Sequence, residues 1–163
     1  MKNLLYILLL VSVIEKGHTQ GVKKNLDFIV VIDDAIAVGS ISLQKIIFVS
    51  GGKENVIQVN YYPGSLSMDA NDYPRLLSDS TKAIYLKFNH REYVGGKLHY
   101  DNYEIELKKP WLEDYFNIIN IYNLVNPRYK NKYDPIGKGK NYAYELESPS
   151  HSFKLVQKSA NKK

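Results

Sequence analysis

Apolar residues recur at every second position along much of the chain, in short runs separated by polar or glycine-containing turns. In residues 103–108, tyrosine, isoleucine and leucine alternate with two glutamates and a lysine. Side chains two apart share one face of a strand, so this run predicts a strand with one buried and one solvated face. Residues 84–89 alternate in the same way, and Gly95 and Gly96 lie between the two runs. We therefore expect the two strands to pair as a hairpin through this turn.

Further strands are predicted wherever Ile, Val, Tyr and Phe are concentrated, namely in residues 26–32, 41–49, 56–62, 142–146 and 153–157. Residues 115–124 leave two interpretations open. Asparagines recur there every third residue, which suits a helix with one polar stripe, but the β-branched and aromatic content favours a strand. Short helical turns are predicted in residues 69–78, with Asp72 as the cap, and in residues 111–114.

The spacing of these runs predicts the fold class. About eight short strands with turn residues between them, and no alternation with long helices, are typical of an all-β or mainly β protein. We expect an antiparallel β-sandwich, immunoglobulin-like or transthyretin-like, with one or two short helical turns. Residues 25–158 are predicted to form this single domain, and residues 159–163 a disordered tail.

The first twenty residues differ from the rest. Lys2 precedes an apolar run over residues 4–14, which is the pattern of a secretory signal peptide at residues 1–20. The run is too short to span a membrane; the alternative is a buried segment of the core. We expect cleavage between Gly17 and Val22, a secreted or periplasmic protein, and no integral membrane segment after signal cleavage.

The composition limits the chemistry. The chain has 163 residues, a formal net charge of +5, 14 tyrosines and no cysteine. The lack of cysteine excludes disulfides, thiol catalysis and thiolate metal sites. The fold must therefore be stabilised by packing alone.

Two pairs of residues on the predicted hairpin carry metal-binding chemistry. His90 and Glu92 are two residues apart, as are His99 and Asp101, so pairing of the strands would bring the four together. Imidazole and carboxylate groups bind zinc and other divalent ions. The alternative is ordinary cross-strand polar pairing on an exposed face. A divalent metal is the one cofactor that the sequence allows for; otherwise none is expected.

No recognised catalytic motif is present. The chain lacks the Gly-x-Ser-x-Gly elbow of serine hydrolases and the glycine-rich loop that binds phosphate. Asp33 and Asp34 end a predicted strand, where turn chemistry explains them as well as acid–base work or calcium binding does. We therefore expect a protein that is not an enzyme.

Basic and aromatic residues are the remaining candidates for binding. Cations interleaved with tyrosines can hold anionic ligands, although a solvated loop explains the same composition. The predicted ligand-binding residues are Tyr61, Tyr62, Trp111, Arg128, Lys130 and Lys132. An exported chain is not expected to bind nucleic acid, so the expected partner is a protein or a cell-surface glycan. The function predicted is an exported non-enzymatic binding protein; the alternatives are a periplasmic inhibitor or immunity protein and a metal-dependent hydrolase.

Overall fold

The computed structural model describes residues 21–94 and 96–158; the predicted signal peptide and the predicted tail lie outside these residues. The described residues form twelve strands and three short helices. The strands are β1 (Lys23–Leu26), β2 (Phe28–Ile32), β3 (Ala35–Ile36), β4 (Ile41–Ser50), β5 (Lys53–Gln58), β6 (Asn60–Tyr62), β7 (Ser65–Asp69), β8 (Thr81–Val94), β9 (Lys97–Leu107), β10 (Asn117–Asn123), β11 (Tyr142–Glu147) and β12 (Ser152–Phe153). The helices are α1 (Tyr73–Leu77), α2 (Lys109–Glu113) and α3 (Pro127–Lys130).

The strands are arranged in three sheets. Sheet A has the order β1-β7-β6, sheet B the order β12-β11-β10-β2-β3, and sheet C the order β5-β4-β8-β9. The prediction of a mainly β fold is confirmed. The structure adds one parallel pair that the antiparallel expectation did not contain, because β10 runs parallel to β2 in the middle of sheet B.

Two of the predicted strands are each divided in two. The run predicted over residues 26–32 breaks at Asp27, so that β1 pairs in sheet A and β2 in sheet B. At this break the Asp27 carbonyl accepts a hydrogen bond of 2.8 Å from the Asn117 amide. The run over residues 56–62 breaks at Val59 in the same way. A strand can thus leave one sheet and enter another without a turn residue that would mark the change.

The strand interpretation of residues 115–124 is confirmed. β10 buries Asn117, Ile119 and Ile121, while the residues between them are only partly covered. This two-residue period is that of a strand with one face against the core.

One hydrophobic core joins the three sheets, with fully buried side chains such as Phe28, Phe48, Leu66, Ile105 and Tyr142. A second, smaller cluster lies beside sheet B and is made by Leu124, Tyr129, Tyr133 and Ala143. The aromatic side chains therefore supply much of the packing in a fold that has no cross-links.

The helices are four or five residues long. None within the described residues has the length and apolar character needed to cross a membrane. Asp72 occupies the N-cap position of α1, as predicted, but its side chain makes no capping hydrogen bond. Its carboxylate instead forms a 2.6 Å ion pair with Arg75.

Candidate functional site

The β8–β9 hairpin places a mixed set of side chains on the outer face of sheet C. Ile84, Leu86 and Phe88 of β8 point into the core, so the intervening residues face solvent. The register of β8 and β9 has no bulge and pairs Lys87 with Glu104 and Asn89 with Asn102. We call the solvent-facing set the outer platform; it comprises Lys45, Lys87, Asn89, Arg91, Tyr93, Leu98, Tyr100, Asn102 and Glu104.

The far end of the outer platform carries exposed aromatic rings. Tyr93 is 76% exposed and Tyr100 is 58% exposed, and Leu98 lies directly opposite Tyr93. Arg91 lies opposite Tyr100 and is also exposed. Tyrosine and arginine are the residues that most often anchor a bound partner. Large aromatic side chains held on paired strands offer a preformed contact surface.

The near end of the outer platform is basic. Lys87 approaches the Glu104 carboxylate to 2.9 Å, and Lys140, from the loop before β11, approaches it to 3.6 Å. The hydrogen bond from Lys87, supported by Lys140, holds the pKa of Glu104 below its ordinary value. No carboxylate of the described residues is within ion-pair distance of Lys45 or Arg91. Lys87 and Lys140 thus pair with Glu104, whereas Lys45 and Arg91 have no carboxylate partner within the described residues.

A shallow cleft opens between Lys45, Lys87 and Lys140. It has a volume of about 250 Å³, and its lining includes Lys45, Asn89, Asn102 and Lys140. Amide side chains can donate and accept hydrogen bonds, while the lysines can only donate. The cleft therefore combines positive charge with hydrogen-bonding groups suited to a polar, anionic ligand.

β9 is an edge strand, and tyrosines from sheet B cover the end of its free edge that includes Glu104 and Glu106. The Tyr142 hydroxyl accepts a hydrogen bond from the Glu104 amide at 2.9 Å and donates to the Glu104 carbonyl at 2.8 Å. The Tyr144 hydroxyl accepts from the Glu106 amide at 3.2 Å. These contacts fix which residues of β9 point their backbone groups away from β8, since the direction alternates along a strand.

By that alternation, Leu98, Tyr100 and Asn102 also turn their amide and carbonyl groups outward. Within the described residues these groups have no hydrogen-bond partner. The free edge is bounded at one end by the hairpin turn, where Gly96 has φ +78°, and at the other by the Tyr142 hydroxyl on Glu104. An open edge of this kind is able to pair with another strand.

We expect the protein to lose stability at alkaline pH. Burial raises the pKa of Tyr144 to about 12, and burial with a hydrogen bond to Asp34 raises the pKa of Tyr129 to about 12. Unfolded tyrosine titrates near pH 10, so above that pH the folded state holds more protons than the unfolded state. These tyrosines add no pH dependence between about pH 7 and pH 9, and the free energy of unfolding should fall steeply from there up to about pH 12.

Urea denaturation at several alkaline pH values, with phenolate absorbance recorded on the same samples, measures this dependence. A free energy of unfolding that stays level while phenolate forms would contradict it.

The predicted metal ligands lie on the opposite, inner face of the same hairpin. His90 pairs with Asp101 and Glu92 pairs with His99, so the sequence correctly placed the four on one face. Glu92, His99 and Asp101 line a cleft of about 380 Å³ together with Asp33. Across residues 21–94 and 96–158, however, no three His, Asp or Glu side chains are arranged to hold a metal ion. The metal site stays a prediction without supporting geometry.

Tyr103 is a core residue on the same face of β9 as His99 and Asp101. Its hydroxyl and the Nδ1 atom of His90 are buried, and neither has a partner among the described residues. Burial raises the pKa of Tyr103, and the nearby carboxylates of Asp101 and Asp33 raise it further. Tyr103 therefore stays a neutral phenol.

The lysine- and arginine-rich segment of residues 126–140 is held to the β2–β3 turn by Arg128, its first cation. Arg128 forms a 2.7 Å ion pair with Asp34, and the hydroxyl of Tyr129 donates to the same carboxylate at 2.8 Å. Asp33 accepts a 2.7 Å hydrogen bond from the Asn123 amide. Both aspartates have a positive φ, which is uncommon outside glycine. These contacts give the aspartates and Arg128 a structural part, while Lys130 and Lys132 are exposed.

The predicted aromatic ligand-binding residues lie apart from one another. Tyr61 and Tyr62 are on β6, and the Tyr61 hydroxyl accepts a 2.9 Å hydrogen bond from the Val30 amide. Tyr62 is exposed, whereas Trp111 on α2 is only 8% exposed and belongs to the core. With Arg128 on α3, the six predicted residues are spread over three elements of the fold and the turn after α3.

A serine, a histidine and an aspartate meet in the turn before β12. His151 Nδ1 lies 3.2 Å from Asp114 Oδ2, but the Ser148 hydroxyl, with one proton to donate, lies within hydrogen-bond distance of both that carboxylate and the His151 carbonyl. Hydrogen bonds from Ser148 and Ser150 lower the pKa of Asp114. In a nucleophilic triad the serine would contact the other ring nitrogen. This arrangement instead orders the turn.

Sequence reasoning missed the outer platform. The signal was present, because Tyr100 and Asn102 lie on the polar side of the alternation that buries Tyr103 and Ile105. Comparison of the chain with models of protein families, with curated proteins and with solved structures finds no match.

Proposed function

We propose that the chain is an exported, non-enzymatic binding protein whose outer platform holds an acidic polysaccharide of a cell surface. One observation carries the proposal: exposed tyrosines share the outer platform with Lys45, Lys87 and Arg91, and its one carboxylate, Glu104, is already paired with two lysines. The export rests on the N-terminal sequence pattern described above.

The chemistry of the outer platform matches an acidic sugar chain. Lys45 and Arg91 lack ion-pair partners in the described residues, and although the Arg91 guanidinium donates a 3.4 Å hydrogen bond to the Gly39 carbonyl, its remaining donors can reach carboxylate or sulfate groups. Asn89 and Asn102 lie opposite each other and can bond sugar hydroxyls. The ring of Tyr100 offers an apolar face to a pyranose. A flat sheet suits an extended polymer better than a small molecule that needs enclosure.

Titration of the purified chain with carboxymethyl dextran and with unmodified dextran tests the proposal, because the two polymers differ only in charge. We expect binding to the carboxymethylated polymer, weakening with added salt, and none to dextran. Replacing both Lys45→Gln and Arg91→Gln should weaken binding by about fivefold to tenfold. Tyr100→Ala should weaken it by about threefold to tenfold.

The matched control replaces Lys130→Gln and Lys132→Gln, which removes the same charge from exposed residues at the end of α3 and in the turn after it, outside sheet C. This variant should bind within about twofold of the unaltered chain. Equal weakening by the two double variants would mean unspecific attraction between a basic protein and a polyanion, and would overturn the proposal. So would the absence of binding to both polymers.

A further inference from the structure

The free edge of β9 is complementary to itself. If two copies of the strand are placed antiparallel and centred on Tyr100, Leu98 of one copy lies opposite Asn102 of the other. His99 lies opposite Asp101 of the second copy, so an imidazole meets a carboxylate on both sides of the axis. These two residues are bonded to β8 within each hairpin, so between copies they form the closer, non-hydrogen-bonded pair.

The open part of the edge has the length that this pairing needs. The outward backbone groups belong to Leu98, Tyr100 and Asn102, and in the paired arrangement each of them meets an outward group of the second copy. The next pair would join Gly96 to Glu104, whose amide and carbonyl are already bonded to the Tyr142 hydroxyl. Pairing therefore stops at both ends where the free groups stop.

We propose that two copies of this chain pair through β9 about a twofold axis at Tyr100, which joins their two four-stranded sheets into one. The partner is a second copy because the edge places the His99 imidazole opposite the Asp101 carboxylate of the other copy, and because its free backbone groups are symmetric about Tyr100. The closed twofold contact also leaves no free β9 edge for further association. The inference does not depend on the polysaccharide proposal, although pairing would make the two outer platforms continuous.

Sedimentation of the unliganded chain over a range of concentrations tests the pairing. We expect the mass to rise from one chain to two. Protection of the backbone amides from hydrogen exchange should alternate along β9. The amides of Leu98, Tyr100 and Asn102 should become protected as the mass doubles. Those of His99 and Asp101 should be protected at every concentration. A mass of one chain at every concentration overturns the proposal, and so does a dimer in which the three outward amides stay unprotected.

Two variants separate this edge from other surfaces. Tyr100→Pro removes an outward amide without breaking the hairpin's own bonds, and should weaken dimerisation by about thirtyfold, one hydrogen bond from each copy being lost. Tyr93→Ala, on the same face but away from the edge, should leave it unchanged. Dimerisation of the proline variant at the original strength overturns the proposal.

A cysteine variant keeps the test valid if the proline variant does not fold. The chain has no cysteine of its own, and paired residues at the axis lie about 5.5 Å apart between Cα atoms, within disulfide range. Tyr100→Cys should form a covalent dimer on mild oxidation. Under the same conditions, the yield of covalent dimer from Tyr93→Cys should be at least about tenfold lower. Equal cross-linking of the two variants overturns the proposal. Because no polymer is present, these results are distinguishable from failure of the polysaccharide test.

Discussion

Replacing Tyr142 with alanine is expected to lower the free energy of unfolding by about 3–5 kcal/mol, among the largest effects of any single substitution. The side chain is 1% exposed and contacts the edge of the Tyr103 ring with centroids 4.9 Å apart. Its hydroxyl also bonds both backbone groups of Glu104. This one substitution therefore has two effects: it removes a large buried ring, and it leaves the backbone groups of Glu104 at the edge of β9 without their partner.

Tyr142→Phe separates these two contributions. The ring is kept, but the amide and carbonyl of Glu104 lose their partner, so a loss of about 1–3 kcal/mol is expected. Urea denaturation followed by circular dichroism measures both variants. Tyr115→Ala is the control, because Tyr115 is 86% exposed and its removal should change stability by less than about 0.5 kcal/mol. If the phenylalanine variant is as stable as the unaltered chain, the hydroxyl does not hold the edge.

The second large effect concerns Trp111. Trp111→Ala should also cost about 3–5 kcal/mol, since the indole is packed in the core shared by the three sheets. The backbone carbonyl of Trp111 accepts a 2.7 Å hydrogen bond from the buried side chain of Asn117, which ties α2 to the start of β10. Collapse around the missing indole would strain this contact as well.

The same variant decides whether Trp111 has any part in binding. Per folded molecule, Trp111→Ala should bind carboxymethyl dextran as the unaltered chain does, because the side chain is not on the outer platform. Urea denaturation and polymer titration of one preparation measure its free energy of unfolding and its affinity for carboxymethyl dextran. A stable variant that has lost binding would restore Trp111 as a ligand-binding residue.

The β8–β9 hairpin shows which features of the fold can be predicted from the sequence. Alternation over residues 84–89 and 103–108, with two glycines between, was enough to predict its pairing and to place His90, Glu92, His99 and Asp101 on one face. Both depend only on the two-residue period of a strand, which is a local property.

Features that depend on distant residues could not be predicted. In sequence Trp111, next to Pro110 and Leu112, suits the core at least as well as a binding surface, and only the packed sheets show that it is buried and that the Tyr61 hydroxyl is bonded. The hydroxyl of Tyr142 meets Glu104, 38 residues earlier in the chain. No local pattern encodes such a contact, and none marks Asp27 as the point where the chain changes sheets.

The parallel pairing of β2 with β10 also determines when the fold can be completed. Their residues are about 90 positions apart, as Ile32 and Ile121 are, and contacts so far apart along a chain are characteristic of slow folding. During synthesis, β4, β5, β8 and β9 can form their hairpins early, but sheet B has no neighbour for β2 except β3 until the last third of the chain is made. The nascent chain therefore remains incompletely folded at least until β10 has been synthesised.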